Sequence, residues 1–139
     1  MSVFDTIRIA ASGLTAQRLR MDVAASNLAN AQSTRTQGGQ QGQPYEQEAV
    51  VFESRQMGPA TADLGVSAVA IVQSTSANTR VYDPNNPDAD QNGFVTYPNV
   101  DVASQMTDMM GAARSYQINA TVAQAAKQQA LDAIDLGKA

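Results

Sequence analysis

Apolar side chains recur every three or four residues at both ends of this 139-residue chain. Near the start, Phe4, Ile7, Ala11, Leu14, Met21, Ala25 and Leu28 fall on one such row, which only Arg18 interrupts. Alternating steps of three and four trace one face of a helix and, sustained over this length, the seam of a coiled coil. The spacing predicts a helix from near Val3 to about Asn30, roughly 40 Å long. Ser2 and Asp5 stand at capping-box separation ahead of it. Gly13 inside it costs about 1 kcal/mol relative to Ala, and is either tolerated or marks a close approach by another backbone.

The pattern returns at Val102, Met106, Met109, Ala113, Tyr116, Ala120, Ala123, Lys127, Ala130 and Ile134. With Asn99 as N-cap and Asp101 in the first turn, a second helix is expected up to Gly137, about 55 Å long. Ile118 and Val122 lie beside its seam and widen it, so this helix has face enough for more than one neighbour. Met106, Met109 and Met110 suit adaptable packing on that face. From the pattern alone, the two helices either fold on each other as a hairpin or pack between chains.

Between them the periodicity changes. Residues 32–44 are rich in Gln and Gly and carry no apolar side chain except Pro44, which predicts a mobile loop. Tyr45 to Arg55 and Gly65 to Gln73 read as two strands, a hairpin broken by Gly58-Pro59 and Gly65, and shorter strands are expected at Thr79 to Tyr82 and Gly93 to Tyr97. The chain thus divides into an N-terminal helix (1–31), a loop and small β region (32–98) and a C-terminal helix (99–139). The expected fold class is mainly α: two long terminal helices forming a coiled-coil-like antiparallel pair, with a small β-strand and loop insertion between them.

Composition makes the core thin. There is no Trp, only three Phe and four Tyr, and much of the 43% hydrophobic content is Ala, which buries little area per residue. A partner would supply the missing contacts. A net charge of -4 without a basic patch excludes nucleic acid as a partner. No run approaches the ~18 apolar residues of a membrane span, and the N-terminus lacks the features of a cleaved signal. With neither Cys nor His, disulfides, thiolate chemistry and the commonest metal ligands are gone. No cofactor, metal or catalytic residue is expected.

Two constellations still carry possible chemistry. Asp88-Ala89-Asp90-Gln91-Asn92-Gly93 fits the first half of a calcium loop, yet Asn99 stands at the twelfth position where a bidentate Glu belongs, and Pro84 and Pro87 forbid an entering helix. The 83–99 stretch as a small calcium-binding module is therefore the alternative from another class, and successive turns are the simpler reading. Glu46 and Glu48 would share a strand face, as an acid and base pair of a hydrolase does, but no aromatic sugar platform lies nearby.

Two stretches carry a resemblance. Residues 24–31, Ala-Ala-Ser-Asn-Leu-Ala-Asn-Ala, are similar to the signature that ends the N-terminal helix of flagellar axial proteins. Residues 81–102, from Val81-Tyr82-Asp83-Pro84 to Pro98-Asn99-Val100-Asp101-Val102, with Arg114-Ser115-Tyr116-Gln117 and Asn119 beyond, resemble the bacterial flagellar basal-body rod proteins, and among them the proximal rod subunits of the FlgC type rather than other rod paralogues. Gln105 departs from the Glu usual there, which puts one ion pair in doubt, and the Gln-rich loop is this chain's own variation.

The resemblance implies a structural, non-enzymatic subunit of the rod that spans the periplasm. It would be exported unprocessed by the flagellar type III export apparatus, and would polymerise helically with itself and other rod proteins into a drive shaft that encloses part of the export channel. Subunit contacts are then expected at Phe4, Ile7, Leu14, Met21 and Leu28 on the first helix and at Val102, Met106, Met109, Tyr116 and Ile134 on the second. Asn27 and Asn30 would bond backbone or a neighbour near the first helix end, with an ordinary C-terminal helix signal as the alternative for Asn30.

Overall fold

A computed structural model describes residues 3–35, 43–56 and 64–137. Helix α1 (Val3–Ala29) is followed by strands β1 (Glu48–Gln56), β2 (Leu64–Gln73), β3 (Thr79–Tyr82) and β4 (Phe94–Tyr97), and by helix α2 (Val102–Leu136). The periodicity located both helices and all four strands to within a few residues. Ser2, the loop centre at 36–42 and the Gly58-Pro59 break lie outside the described residues.

The two helices pack as an antiparallel pair. Gly13 faces Asn119, Arg20 bonds Asp108, and Asn27 bonds Gln105, so the numbers on α2 fall as those on α1 rise. The row buried between them is one of small residues: Ala10, Gly13, Ala16 and Ala24 of α1, Ala112 and Ala126 of α2. Small side chains let the helix axes approach closely, and at Gly13 the approach is by a side chain. A methyl group there would stand 2.7 Å from Asn119 Nδ2.

β1 and β2 form an antiparallel hairpin, Glu48 opposite Gln73 and Gln56 opposite Leu64, with a register shift between Val51 and Phe52. The hairpin lies along α1. Ser12 Oγ accepts from the Val66 N–H at 3.1 Å near the middle of α1, and Asn27 holds Glu48 near its end. These anchors match in length: fifteen helical residues and the strand from Glu48 to the residue opposite Val66 each span about 20 Å.

β3 and β4 make a second, shorter hairpin, Thr79 opposite Tyr97 and Tyr82 opposite Phe94. Its inner anchor is the fully buried Val95, and Arg80 lies over the Phe94 ring while Tyr82 meets that ring edge-on. Gly93, at φ 78°, makes the turn into β4 in a conformation that suits glycine alone.

Two local expectations change. The N-cap of α2 is Asp101 and not Asn99: the Asp101 carboxylate accepts from the Ala103 N–H at 3.0 Å, so the helix starts two residues late. β1 begins at Glu48 and not Tyr45, because the Tyr45 N–H bonds the Ser33 carbonyl at 3.2 Å and draws the chain toward the end of α1. Glu46 therefore lies outside the strand that was to pair it with Glu48.

Candidate assembly interface

A helix pair usually hides its largest apolar row; this one leaves the row on α2 largely exposed. Four of the six buried positions of α1 lie one residue before a position of the sequence-derived seam, Ala10 for Ala11, Gly13 for Leu14, Ala24 for Ala25 and Asn27 for Leu28, while Ala16 and Val23 lie two residues from one. In α2, Gln105, Ala112 and Ala126 take the place of Met106, Ala113 and Lys127. One residue is a rotation of about 100° about the helix axis. The seam within the chain is thus made mainly by small residues, with Val23 among them; the larger residues of α1 lie at its flank and most of those of α2 face away from it.

On α1, Phe4 is 71% exposed, while Ile7, Leu14, Met21 and Leu28 are half-buried at the flank of the pair. On α2, Val102, Met106, Tyr116 and Ile134 are exposed, and Met109 is half-buried. Val102, Met106, Met110, Ile118 and Val122 form a row of exposed side chains at steps of four, broken only by Arg114, that runs about 30 Å along the helix. The β1–β2 hairpin adds exposed Val51, Val69, Ile71 and Val72. The buried apolar side chains among the described residues are all small: five Ala, Val23, Val95, Pro44 and Pro98.

The surface area agrees. The chain exposes 9324 Å², whereas a compact monomer of 14.6 kDa is expected to expose about 6900 Å². Among the described residues, Val, Ile and Met side chains of α2 and of the β1–β2 hairpin are part of that exposed surface, and exposed apolar patches of this kind mark contacts with partners.

The end of α1 carries the chain's one deeply buried polar clasp among the described residues. Asn27 is 1% exposed and uses its full hydrogen-bonding capacity. Its Nδ2 donates to the Glu48 carbonyl at 2.8 Å and to Gln105 Oε1 at 2.9 Å. Its Oδ1 accepts from the Glu48 N–H and from the Tyr45 hydroxyl, both at 2.9 Å. Burial raises the Tyr45 pKa, partly opposed by Ser26, whose hydroxyl lies 3.5 Å away. One amide thereby joins α1, β1 and α2.

Asn30 closes the same helix end. Its N–H and its Nδ2 both donate to the Ser26 carbonyl, and Ser33 bonds back to its Oδ1 and its carbonyl. Gln105, which had placed an ion pair in doubt, serves as a neutral buried acceptor. The charge pair between the helices sits one turn on, where Arg20 reaches Asp108 at 2.5 Å. Tyr45, Arg20 and Asp108 were not singled out from sequence. No signal marked them, whereas the Ala and Gly row one residue from the apolar row was legible.

The remaining chemistry is occupied by structure. Asp90 Oδ1 accepts from the N–H groups of Asn92 and Phe94 at 2.8 and 2.9 Å, and its Oδ2 from Arg80 at 2.5 Å. Those backbone bonds, Phe94 first, hold its carboxyl below the ordinary value of 3.8, with Arg80 adding to the effect. Asp88 pairs with Arg35 and accepts from Thr34 Oγ1 at 2.6 Å, which pins the start of the 32–44 loop to the β3–β4 turn. The 83–93 segment is a hairpin tip whose carboxylates serve its own turns, and among the described residues no cluster of three or more metal-ligating His, Cys, Asp or Glu side chains forms. Glu46 and Glu48 border an open hollow with Pro44, Tyr45, Gln73 and Asn78. No helix among the described residues is long and apolar enough to cross a membrane.

Comparison with known proteins agrees with both stretches of resemblance. Residues 7–35 match the family described as Flagella basal body rod protein, and residues 91–136 match Flagellar basal body rod FlgEFG protein C-terminal. The flagellar basal-body rod protein FlgC of Salmonella typhimurium is 43% identical over 138 residues, covering 99% of this chain and 100% of that protein. FlgC of Bacillus subtilis is 37% identical over 150 residues, with 99% and 100% covered. FlgC of Aquifex aeolicus is 37% identical over 119 residues, with 86% and 85% covered. On full-length similarity as well as on both motifs, this chain belongs to the FlgC family of flagellar basal-body rod proteins.

Proposed function

We propose that the chain is a structural subunit of the proximal rod, joining other rod proteins and its own copies in a helical tube that transmits torque and encloses part of the export channel. One observation carries this reading: the two long helices pair mainly through small residues and leave a row of larger apolar side chains exposed along α2, with the larger residues of α1 half-buried at the flank. Such rows need partners, and contacts whose rotation does not close on itself generate an open helix of subunits. Membership of a family whose relatives are named as rod proteins supports a structural and not a catalytic role.

Export follows the same physics. Before assembly the outward rows have no partners, and helices held mainly by small residues are weakly stabilised in water. We infer that the free subunit is loose enough to pass through the flagellar type III apparatus without cleavage and tightens when neighbours cover it.

The test is imaging of basal bodies from cells lacking this gene. Non-motile cells with export bases and no rod above them are expected, together with rescue by the intact gene. Intact rods and normal swimming would overturn the proposal.

A further inference from the structure

Two exposed apolar surfaces lie on separate elements of the chain. Along α2 the exposed row at steps of four carries one charge, Arg114, with Met110 and Ile118 to either side. On the β1–β2 hairpin, Ala49, Val51 and Glu53 are exposed and alternate with half-buried Glu48, Val50 and Phe52, which makes one face of β1 an outer face. The register sets Val72 opposite Ala49 and Ala70 opposite Val51, so that face continues on β2. Within one chain the hairpin packs on α1 and not on α2.

The charges on the two surfaces are complementary, and their positions set them apart. Among the described residues Arg18, Arg55, Arg114 and Lys127 form no ion pair. Of the three that stand on helices, Arg114 alone has an exposed large apolar side chain four residues away on both sides. Glu53 is exposed, forms no ion pair among the described residues, and shares its face of β1 with exposed Val51. The spacings also agree, since alternate strand residues stand about 6.7 Å apart and helix residues at steps of four about 6 Å. Val51 and Glu53 therefore run in step with Met110 and Arg114, and the flexible Met side chains take up the small difference.

We propose that the outer face of the β1–β2 hairpin of one copy docks on the exposed row of α2 of a second copy, with Val51 and Val72 against Met106 and Met110 and with Glu53 facing Arg114. The contact is heterologous: the hairpin of one chain meets the helix of the next, and each copy carries both surfaces, so the contact propagates through further copies. Apolar neighbours on both sides exclude water from the Glu53–Arg114 pair, and an ion pair so enclosed is worth more than one left in water. This inference rests on the rod reading and adds the two surfaces that meet.

The chain has no cysteine, so introduced thiols report cleanly. Ala70→Cys, opposite Val51, and Gln117→Cys, beside Arg114 on α2, stand at exposed positions and keep the charges and larger apolar groups of the contact. Each variant chain carries one thiol, so a bridge always joins two molecules. Both single variants, one carrying a size tag, are expressed together in the deletion strain, and purified basal bodies are treated with a short bismaleimide. A product joining residue 70 of one copy to residue 117 of the other is expected. Only 70-to-70 or 117-to-117 products, a bridge to a different rod protein, or no bridge in rods that assemble and turn would each overturn it.

A charge exchange gives a second readout, which decides alone if a cysteine stops assembly. Both residues are exposed, so the free chain keeps its helical signal on substitution. Glu53→Arg and Arg114→Glu each set like charges face to face and are expected to lower the yield of rods about tenfold or more, and the two together to restore it. Unchanged yield in both single variants, or no restoration in the double variant, would overturn the contact. A deletion strain that keeps its rods sinks the rod reading itself, whereas rod loss on deletion without the 70-to-117 product or the charge rescue sinks only this contact.

Discussion

The side-chain amide of Asn27 grips both backbone groups of Glu48, donating to its carbonyl at 2.8 Å and accepting from its N–H at 2.9 Å. A helix side chain thereby does what the backbone of a neighbouring strand does, and it fixes where β1 begins. Each stranded buried group costs about 1–3 kcal/mol. Asn27→Ala is expected to lower stability by roughly 3 kcal/mol. Asn27→Asp costs more, because a buried carboxylate would face two acceptors, Glu48 O and Gln105 Oε1. Urea unfolding followed by helical circular dichroism checks both, and Asn27→Asp as stable as the parent would contradict the clasp.

Tyr45 donates the fourth bond to that amide. Its pKa is raised above 10.0 by burial, so the neutral form is the one that the fold favours. Its contribution is complete below pH 10 and is lost as pH rises through the folded value. The ultraviolet titration of Tyr45 is expected to have a midpoint above 10, and Tyr45→Phe to cost about 1 kcal/mol at neutral pH.

The Asp90 turn has the opposite sign. Its carboxyl is lowered below 3.8 in the fold, so its support for the β3–β4 hairpin is present above that pH and is lost as pH falls through the folded value. Carboxyl chemical shifts of Asp90 should titrate below those of an unstructured peptide. Asp90→Asn is expected to remove that acid dependence while releasing Arg80.

Two helical glycines separate propensity from packing. A methyl group at Gly111 meets nothing within 4 Å, so Gly111→Ala is expected to gain about 1 kcal/mol. At Gly13 the same change pushes on Asn119 at 2.7 Å, and the gain is offset as that amide swings out of the helix seam. Equal gains at both sites, measured by thermal melts, would contradict the close approach.

The outer and inner rows should fail differently. Leu14→Asp and Met106→Asp are expected to abolish rod assembly and swimming while the free chain keeps its helical signal, since neither residue lies in the buried seam. Ala112→Asp buries a charge where the parent residue is fully enclosed, and costs several kcal/mol of helix pairing. Normal swimming in both outer variants would remove the support for these rows as contacts between subunits.

By itself the sequence determined the elements. Steps of three and four set both helices, β-branched runs set the strands, and Asn27 stood out within a motif before its bonds were visible. The cap of α2 was placed two residues early because Asn99 and Asp101 are equally good caps, and only the bond to Ala103 chooses between them. Which row of each helix turns inward was decided by tertiary structure alone. Periodicity weighs side chains by size and so selects the Leu and Met row. Two helices of one chain instead come closest where Ala10, Gly13, Ala112 and Ala126 let them, with Asn27, Gln105, Arg20 and Asp108 fixing the register. The larger residues of α1 are kept to the flank, and most of those of α2 stay exposed, because a seam of small residues leaves them little room within the pair.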